Sequence, residues 1–572
     1  MPSAVIAASL RRLTLNWAAH HRRAAVGIAV IHVVALVSMV RTEVGPLGMA
    51  LYLLTWTVLN CVFLLLLRRP GIAAALSLIV FQITITLSQF KFAKLWMTIN
   101  ALDVMIIDAD TFAFLLGVLP SLRTTLIVAA VIAVPLLTLI WRLDPFRVRQ
   151  AAAASVGASC IAVMSGLSIL IPEEPWEQFQ GVNHISNFAR SAVLSVSSLS
   201  EQGWFQADKA VADHLKAGGA GIGGDSCQTG KRPHIILMLD ESSYDIRTAP
   251  GIKVPPGYGS HFKSFDGRQR SLIVEGAGGP TWYTEYNVLT GLSARNYGRL
   301  MFYVTRIAAG RVERGLPQAL RRCGYKTFSL YPAYGAFLGA RGFQRGAGVD
   351  HFIDQGGLGM GDVEPDSFFF DKAAGVIERE RGAAPLFLFV YTVANHFPWD
   401  KVYRPDLSPD WQPLGNGAEA DEYIRRQTVS ARDYAAFVAR LKQEFPDDAF
   451  LIVRFGDHQP PTVASRLVDP SASEADIARR VMGLDPRYFT TYYAIDAINF
   501  RPVDVSSALN TIEAPYLPLV VQEAAGLPLD PSFAEQKKIM LRCHGLFYRC
   551  ANGGEARRFN RLLIDAGLIK GM

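Results

Sequence analysis

HIILMLDES, residues 234–242, is an apolar run that stops abruptly on two carboxylates, and the reading of this stretch decides the fold. A charge-free run of roughly four to eight residues fits a strand buried on both faces, as in parallel sheets covered by helices. Two further stretches repeat the pattern. PLFLFVYT (385–392) runs into Asn395 and His396, and FLIVRF (450–455) runs into Gly456, Asp457 and His458. From Pro233 onward such strands alternate with helical stretches, which predicts an α/β domain with a mainly parallel central sheet over residues 232–572. Open α/β sheets bind ligands beyond the carboxyl ends of their strands. Glu241, His396, Asp457 and His458 are therefore expected to converge on one crevice.

Carboxylate and imidazole together suit a divalent ion such as Zn²⁺ or Mn²⁺, which makes Glu241, Asp457 and His458 candidate ligands. A group that acts on the substrate is then sought nearby. VEGAGGPTWYTEYNVLTGL (274–292) sets Gly276, Gly278 and Gly279 in a tight loop before Pro280, and a helical stretch opens at Thr281. A hydroxyl at a helix N-terminus lies where free backbone N–H groups and the helix dipole favour a phosphate and a developing alkoxide. Metal coordination would turn that weak alcohol into a nucleophile. The same local sequence also fits Thr281 as an ordinary N-cap.

Upstream the texture changes. Half of the 572 residues are hydrophobic and 19% are charged, with a mean hydropathy of +0.20, and the apolar residues crowd at the front. Ala24–Val40, Val44–Leu67, Gly71–Phe90, Thr124–Trp141 and Ala151–Ile171 are each near the ~20 residues needed to cross a bilayer. They predict a five-helix transmembrane part over residues 1–171, followed by a juxtamembrane arm and Gly-rich linker over 172–231. Leu102–Pro120, broken by Asp103, Asp108 and Asp110, reads as an interfacial or re-entrant piece. Nine arginines (11, 12, 22, 23, 68, 69, 142, 147 and 149) flank the spans on the N-terminal side, against Arg41, Lys91, Lys94 and Arg123 opposite. The bias puts the N-terminus in the cytoplasm, and an odd number of spans puts residues after Ile171 outside.

Charge follows the same division. Of 57 Lys and Arg and 50 Asp and Glu, residues 1–171 hold 13 and 5, so the remainder holds 44 and 45. The outer part is electrically balanced, which argues against a nucleic-acid partner. Cys61 and Cys160 lie within apolar spans. Cys227, Cys323, Cys543 and Cys550 lie in the outer part, where an oxidising compartment permits disulfides, and Cys543 with Cys550 is the pair expected by proximity.

HIILMLDES, GGPTWYTEYNVLTG, LPQALRRCGYKTFSLYP (316–332), VANHFPW, FGDHQPP and TTYYAIDAINF (490–500), in that order, are similar to the lipoteichoic acid synthase and phosphoglycerol transferase family of the sulfatase and alkaline phosphatase superfamily. The resemblance implies an α/β alkaline-phosphatase/sulfatase-like domain behind a membrane part. It implies that Glu241, Thr281, Asp457 and His458 bind one divalent metal, Mn²⁺ first with Mg²⁺ or Zn²⁺ as alternatives, and that Thr281 is the phosphorylated nucleophile. His396 would bind the head group or assist proton transfer. The family's head-group arginine falls on Arg341 and its aromatic on Leu338, or the loop is shifted by one residue. The implied donor is a membrane phospholipid, phosphatidylglycerol before phosphatidylethanolamine, and the acceptor a periplasmic glycan or a lipid. The implied place is a bacterial cytoplasmic (inner) membrane, with the catalytic domain on its periplasmic side. The nearest rival is a phosphoethanolamine transferase acting on lipid A or glycan. Outside enzymes, the rivals are a transporter and a catalytically silent membrane scaffold.

Overall fold

The computed structural model describes residues 2–95, 97–106, 120–173, 177–209, 215, 227, 232–361, 364–382, 384–460 and 469–571. The chain divides into two compact units, Met1–Glu201 and Gln202–Met572.

The first unit is helical: Pro2–Thr42, Gly45–Leu67, Pro70–Leu95, Pro120–Leu143, Gln150–Leu170 and His184–Gln202. Among the described residues four stretches are long and apolar enough to span a membrane: His21–Thr42, Gly45–Leu67, Pro70–Phe92 and Gln150–Leu170. Side chains such as Val30, Leu66 and Ile161 stand exposed on these helices, as lipid-facing residues do. The expectation of five spans is corrected. The segment expected as the fourth lies in the Pro120–Leu143 helix, whose apolar part among the described residues is Ile127–Leu143. Pro135 interrupts its backbone bonding and Arg142 closes its last turn. Of the expected interfacial stretch, Ala101–Ile106 forms a short 3₁₀ helix in which Asp103 is buried and paired with Lys91 at 2.9 Å. Asp108 and Asp110 lie outside the described residues, as does the Gly-rich run 217–224.

The second unit is built on an eight-stranded sheet: β1 His234–Asp240, β2 Arg270–Ile273, β3 Lys326–Leu330, β4 His351–Ile353, β5 Leu386–Tyr391, β6 Phe450–Gly456, β7 Thr490–Ile498 and β8 Thr511–Glu513. Their spatial order is β4-β3-β5-β1-β6-β7-β2-β8. Every pairing is parallel except the two made by β7, which runs antiparallel to β6 and β2. The three runs singled out in the sequence are neighbours, β5-β1-β6, at the middle of the sheet. Every residue of these strands is buried, which is why they lack the polar alternation of a one-sided sheet. The Asp366–Glu380 and Ala418–Glu444 helices cover one face, packing Phe369, Phe370, Ile377, Phe437 and Leu441 on Ile236, Leu388 and Ile452. Disulfides join Cys227 to Cys323 and Cys543 to Cys550.

Candidate metal centre and nucleophile

Register brings the first ligands together. β1 and β6 pair with Asp240 opposite Gly456, so Glu241 and Asp457 are each the first residue past the sheet. Glu241, Asp457 and His458 are buried and offer ligand atoms within 4.8 Å of one another. His458 Nε2 lies 3.3 Å from Asp457 Oδ2 and 3.6 Å from Glu241 Oε1. Gly456 is needed for this approach, since a Cβ there would collide with the Ser243 carbonyl. Ser242 turns the chain in the left-handed region (φ 50). In that conformation its N–H donates to Asp457 Oδ1 and its hydroxyl to Glu241 Oε1, both at 2.8 Å. Thr392, just past β5, fixes the third side by accepting the Glu241 N–H at 3.1 Å.

The donor set fits a cation. Burial, followed by the charge on Asp457, pushes the Glu241 carboxyl up to about 8, so these acids resist sharing a dry site without a positive partner. Asp457 Oδ2 is buried with no hydrogen-bond partner. The ring of His458 bonds the Gln459 carbonyl through Nδ1 at 3.0 Å, which makes Nδ1 the proton-bearing nitrogen and leaves Nε2 a lone pair facing both carboxylates. An orphaned carboxylate oxygen beside an aimed imidazole lone pair is what a bound divalent ion would satisfy.

Thr281 begins the Thr281–Thr290 helix, but the cap position is Pro280. Thr281 is thus the first helical residue rather than the N-cap. One turn on, the Thr284 hydroxyl donates to the Asp457 carbonyl at 2.7 Å. Residues three apart share a helix face, so Thr281 stands on the same face of the helix as the residue bonded to Asp457. Glu285, next in the chain, is buried and bonded by Gln344 at 2.8 Å, and burial pushes its carboxyl up to about 7.

His396 lies half-buried past β5. Its Nδ1 bonds the Phe397 carbonyl at 2.8 Å, leaving Nε2 as the basic nitrogen. Burial lowers its pKa, while the negative charge of Asp457 works the other way. The loop bearing it is strongly braced. Asp366 accepts the Val393 and Ala394 N–H groups at 3.2 and 3.0 Å and the Ser430 hydroxyl. Arg426, paired with buried Glu422 at 2.7 Å, donates to the His396, Pro398 and Lys401 carbonyls. Behind β1, Asp240 accepts from His261 at 2.8 Å and Tyr492 at 2.5 Å.

Arg341 stands apart from these groups in its contacts. Its guanidinium pairs with Asp354 and lies 5.5 Å from the Phe352 ring centre. Leu338 is buried in the left-handed region (φ 47), and its carbonyl accepts the Thr305 hydroxyl. Its neighbour Phe337 lies 5.9 Å from the ring of Trp282, and Phe343 5.7 Å from that of Tyr286, both in the helix that begins at Thr281. The sequence reading missed Ser242, Thr392, Asp366 and the Glu422–Arg426 pair. Only Thr284, through its i+3 spacing from Thr281, left a visible signal.

A sulfatase family model matches residues 273–478. No protein among the curated sequences matches the chain. Similar solved structures include the lipoteichoic acid synthase LtaP from Listeria monocytogenes, at 19% identity over 53% of this chain and 74% of that one, with a TM-score of 0.40. The Streptococcus pyogenes phosphoglycerol transferase GacH, in complex with sn-glycerol-1-phosphate, is 14% identical over 60% and 87%, with a TM-score of 0.46. The C-terminal periplasmic domain of EcEptC from Escherichia coli is 14% identical over 53% and 85%, with a TM-score of 0.36. The match to the sulfatase family thus takes in Thr281, Arg341, His396, Asp457 and His458.

Proposed function

We propose that the chain is a membrane-bound, metal-dependent transferase that moves a phosphoglycerol head group from phosphatidylglycerol to a glycan acceptor through a phosphothreonine at Thr281. The observation that carries the proposal is the convergence of Glu241, Asp457 and His458, with the Thr284–Asp457 bond holding the helix that begins at Thr281 beside them. Glu241, Asp457, His458 and the Thr281 hydroxyl would hold the cation, Mn²⁺ before Mg²⁺ or Zn²⁺. When bound, it supplies Lewis acidity that lowers the pKa of a neighbouring hydroxyl and offsets charge on phosphoryl oxygens.

In the first half-reaction Thr281 Oγ attacks the donor phosphorus. The Oγ–P bond forms as the P–O bond to diacylglycerol breaks, and the departing oxygen takes up a proton. In the second, an acceptor hydroxyl attacks the phosphothreonine and gives up its proton as Thr281 leaves. His396 Nε2, held basic by the Nδ1–H bond to Phe397, is the group suited to carry these protons. Free N–H groups in the first turn of the Thr281 helix favour the charge on the transferring group. Arg341 would complete head-group recognition after exchanging Asp354 for phosphate. Four apolar helices keep such an enzyme at the surface where a lipid donor resides. The two disulfides of the second unit support a site on the outer, oxidising side of a bacterial inner membrane.

The test incubates purified full-length protein with phosphatidylglycerol or phosphatidylethanolamine, follows diacylglycerol release, and weighs the Thr281 peptide. A phosphoglycerol adduct on Thr281 is expected; turnover with an unmodified Thr281 refutes the covalent route. A phosphoethanolamine adduct would transfer the proposal to the rival donor. Glu241→Ala and Asp457→Ala are each expected to lose bound metal by elemental analysis while keeping the fold by circular dichroism.

A further inference from the structure

Three elements that carry the proposed working parts meet at one buried amide. Gln344 lies in the Ala340–Gly346 helix, one turn after Arg341. Its side-chain nitrogen donates at 2.8 Å to Glu285 Oε1, in the helix that begins at Thr281, and at 2.8 Å to the Tyr391 hydroxyl, at the end of β5. Tyr391 in turn bonds the Glu285 carboxylate, which closes a triangle of three side chains. Gln344 is 0% exposed, Glu285 1% and Tyr391 2%, so water cannot take the place of any member.

Each corner has a neighbour in the candidate centre. Glu285 follows Thr284, whose hydroxyl bonds the Asp457 carbonyl. Tyr391 precedes Thr392, which accepts the Glu241 N–H. Gln344 shares its helix with Arg341. The element that carries Arg341 is thus joined to those that carry Thr281 and the metal ligands through one side chain.

The triangle is a costly way to fill space. A carboxyl taken out of water needs strong partners, and neither partner of Glu285 here is a cation. Nor is it needed to bring the two helices together, because the rings of Phe343 and Tyr286 already lie 5.7 Å apart beside it. Apolar contact is non-directional and tolerates sliding. Hydrogen bonds are held to a narrow range of length and angle. The triangle therefore adds register to a contact that is made without it.

We infer that Gln344 is a positioning residue that holds the Arg341 helix in register with the Thr281 helix and the end of β5, so that one amide sets where a head group stands relative to the attacking hydroxyl. The inference rests on the transferase reading for what Arg341 binds, and the experiment separates the two. Binding of glycerol phosphate to the full-length protein, in detergent with Mn²⁺, is measured by calorimetry for the wild type, Gln344→Met, Arg341→Ala and the double variant. Gln344→Met keeps the volume and loses both bonds. It is expected to weaken binding about fivefold in the wild-type background and less than about twofold beside Arg341→Ala, where no guanidinium is left to place. Equal losses in both backgrounds overturn the inference. So does a wild type that binds no glycerol phosphate, or Arg341→Ala protein that binds it as well as the wild type.

A second measurement exchanges the partners. Gln344→Glu sets two acids face to face and is expected to bind poorly. Gln344→Glu combined with Glu285→Gln rebuilds all three bonds with amide and carboxylate reversed, and is expected to recover binding to within about twofold of the wild type. A reversed pair no better than Gln344→Glu alone overturns the register. Diacylglycerol release from phosphatidylglycerol by the same proteins is expected to follow the same order. A wild type that binds glycerol phosphate and releases no diacylglycerol removes the transferase reading and leaves the binding cycle to decide Gln344.

Discussion

Thr281 and His396 divide the proposed chemistry, and each has a replacement that isolates its share. Thr281→Ala removes the only atom that can carry the covalent intermediate. Diacylglycerol release is expected to fall by ~10³-fold or more, with metal content unchanged because both carboxylates and the imidazole remain. Thr281→Ser keeps the hydroxyl and is expected to retain measurable release. For His396 the sign follows from its environment. Burial holds its pKa below the usual 6.5, so the ring stays neutral and able to accept a proton throughout the neutral range. Activity is expected to be flat above pH 6.5 and to fall below it with the titration of one proton. His396→Gln is expected to be ~10²-fold slower and to lack that acid limb. A pH–kcat/KM profile of both proteins at saturating metal checks this, and an unchanged acid limb in the variant removes His396 from proton transfer. Glu241, Asp457, His458 and His396 were legible as candidates because each follows an apolar run directly, where only polarity change need be read. Their supports were not. Ser242, Thr392 and Asp366 act by bonds across 215, 151 and 28 residues, distances at which no local pattern survives.

Among the elements, the loop from Thr392 to Lys401 is positioned by two helices rather than by its own sequence. Asp366, at the start of one helix, grips the backbone of Val393 and Ala394, and its carboxyl is pushed up to about 7 by burial, opposed by the Ser430 hydroxyl and the Ala394 N–H. A raised acid favours the protonated fold. The stabilisation is fully present below about pH 4 and is lost as pH rises through about 7, at roughly 1.4 kcal/mol per pH unit between those limits. Asp366→Asn mimics the protonated acid, with its oxygen toward the two N–H groups and its amide toward Ser430. Melting scans from pH 5 to 8 should show the wild type losing more stability than Asp366→Asn as pH rises, and parallel curves would refute the assignment. The strands were legible for a different reason. β5, β1 and β6 are covered on both faces, so each is one continuous apolar block. Arg454 inside β6 breaks that block on paper, but the fold absorbs it by pairing it with Asp496 at 2.9 Å and stacking it on the Tyr434 ring at 4.0 Å. The expected fourth span lies in the Pro120–Leu143 helix, where Pro135 interrupts the backbone bonding and the apolar stretch among the described residues is Ile127–Leu143.

At the scale of the whole molecule, the transferase reading depends on which side of the membrane the second unit occupies. The excess of Arg before the first span would put the N-terminus inside, and four crossings would then return the chain to the cytoplasm. The second unit supplies independent evidence. Cys227 with Cys323 and Cys543 with Cys550 are bonded, whereas Cys61 and Cys160 in the helical unit are free. Structural disulfides persist in oxidising compartments and not in the cytosol, so the disulfides favour the outer side for the second unit. Protease added to intact spheroplasts is then expected to digest the second unit and to leave a protected fragment ending near Leu170. A maleimide that cannot cross the membrane should label Cys543 only after external reduction. A second unit that survives protease until the membrane is broken would place it inside, and would overturn the outer-leaflet donor that the transferase reading requires.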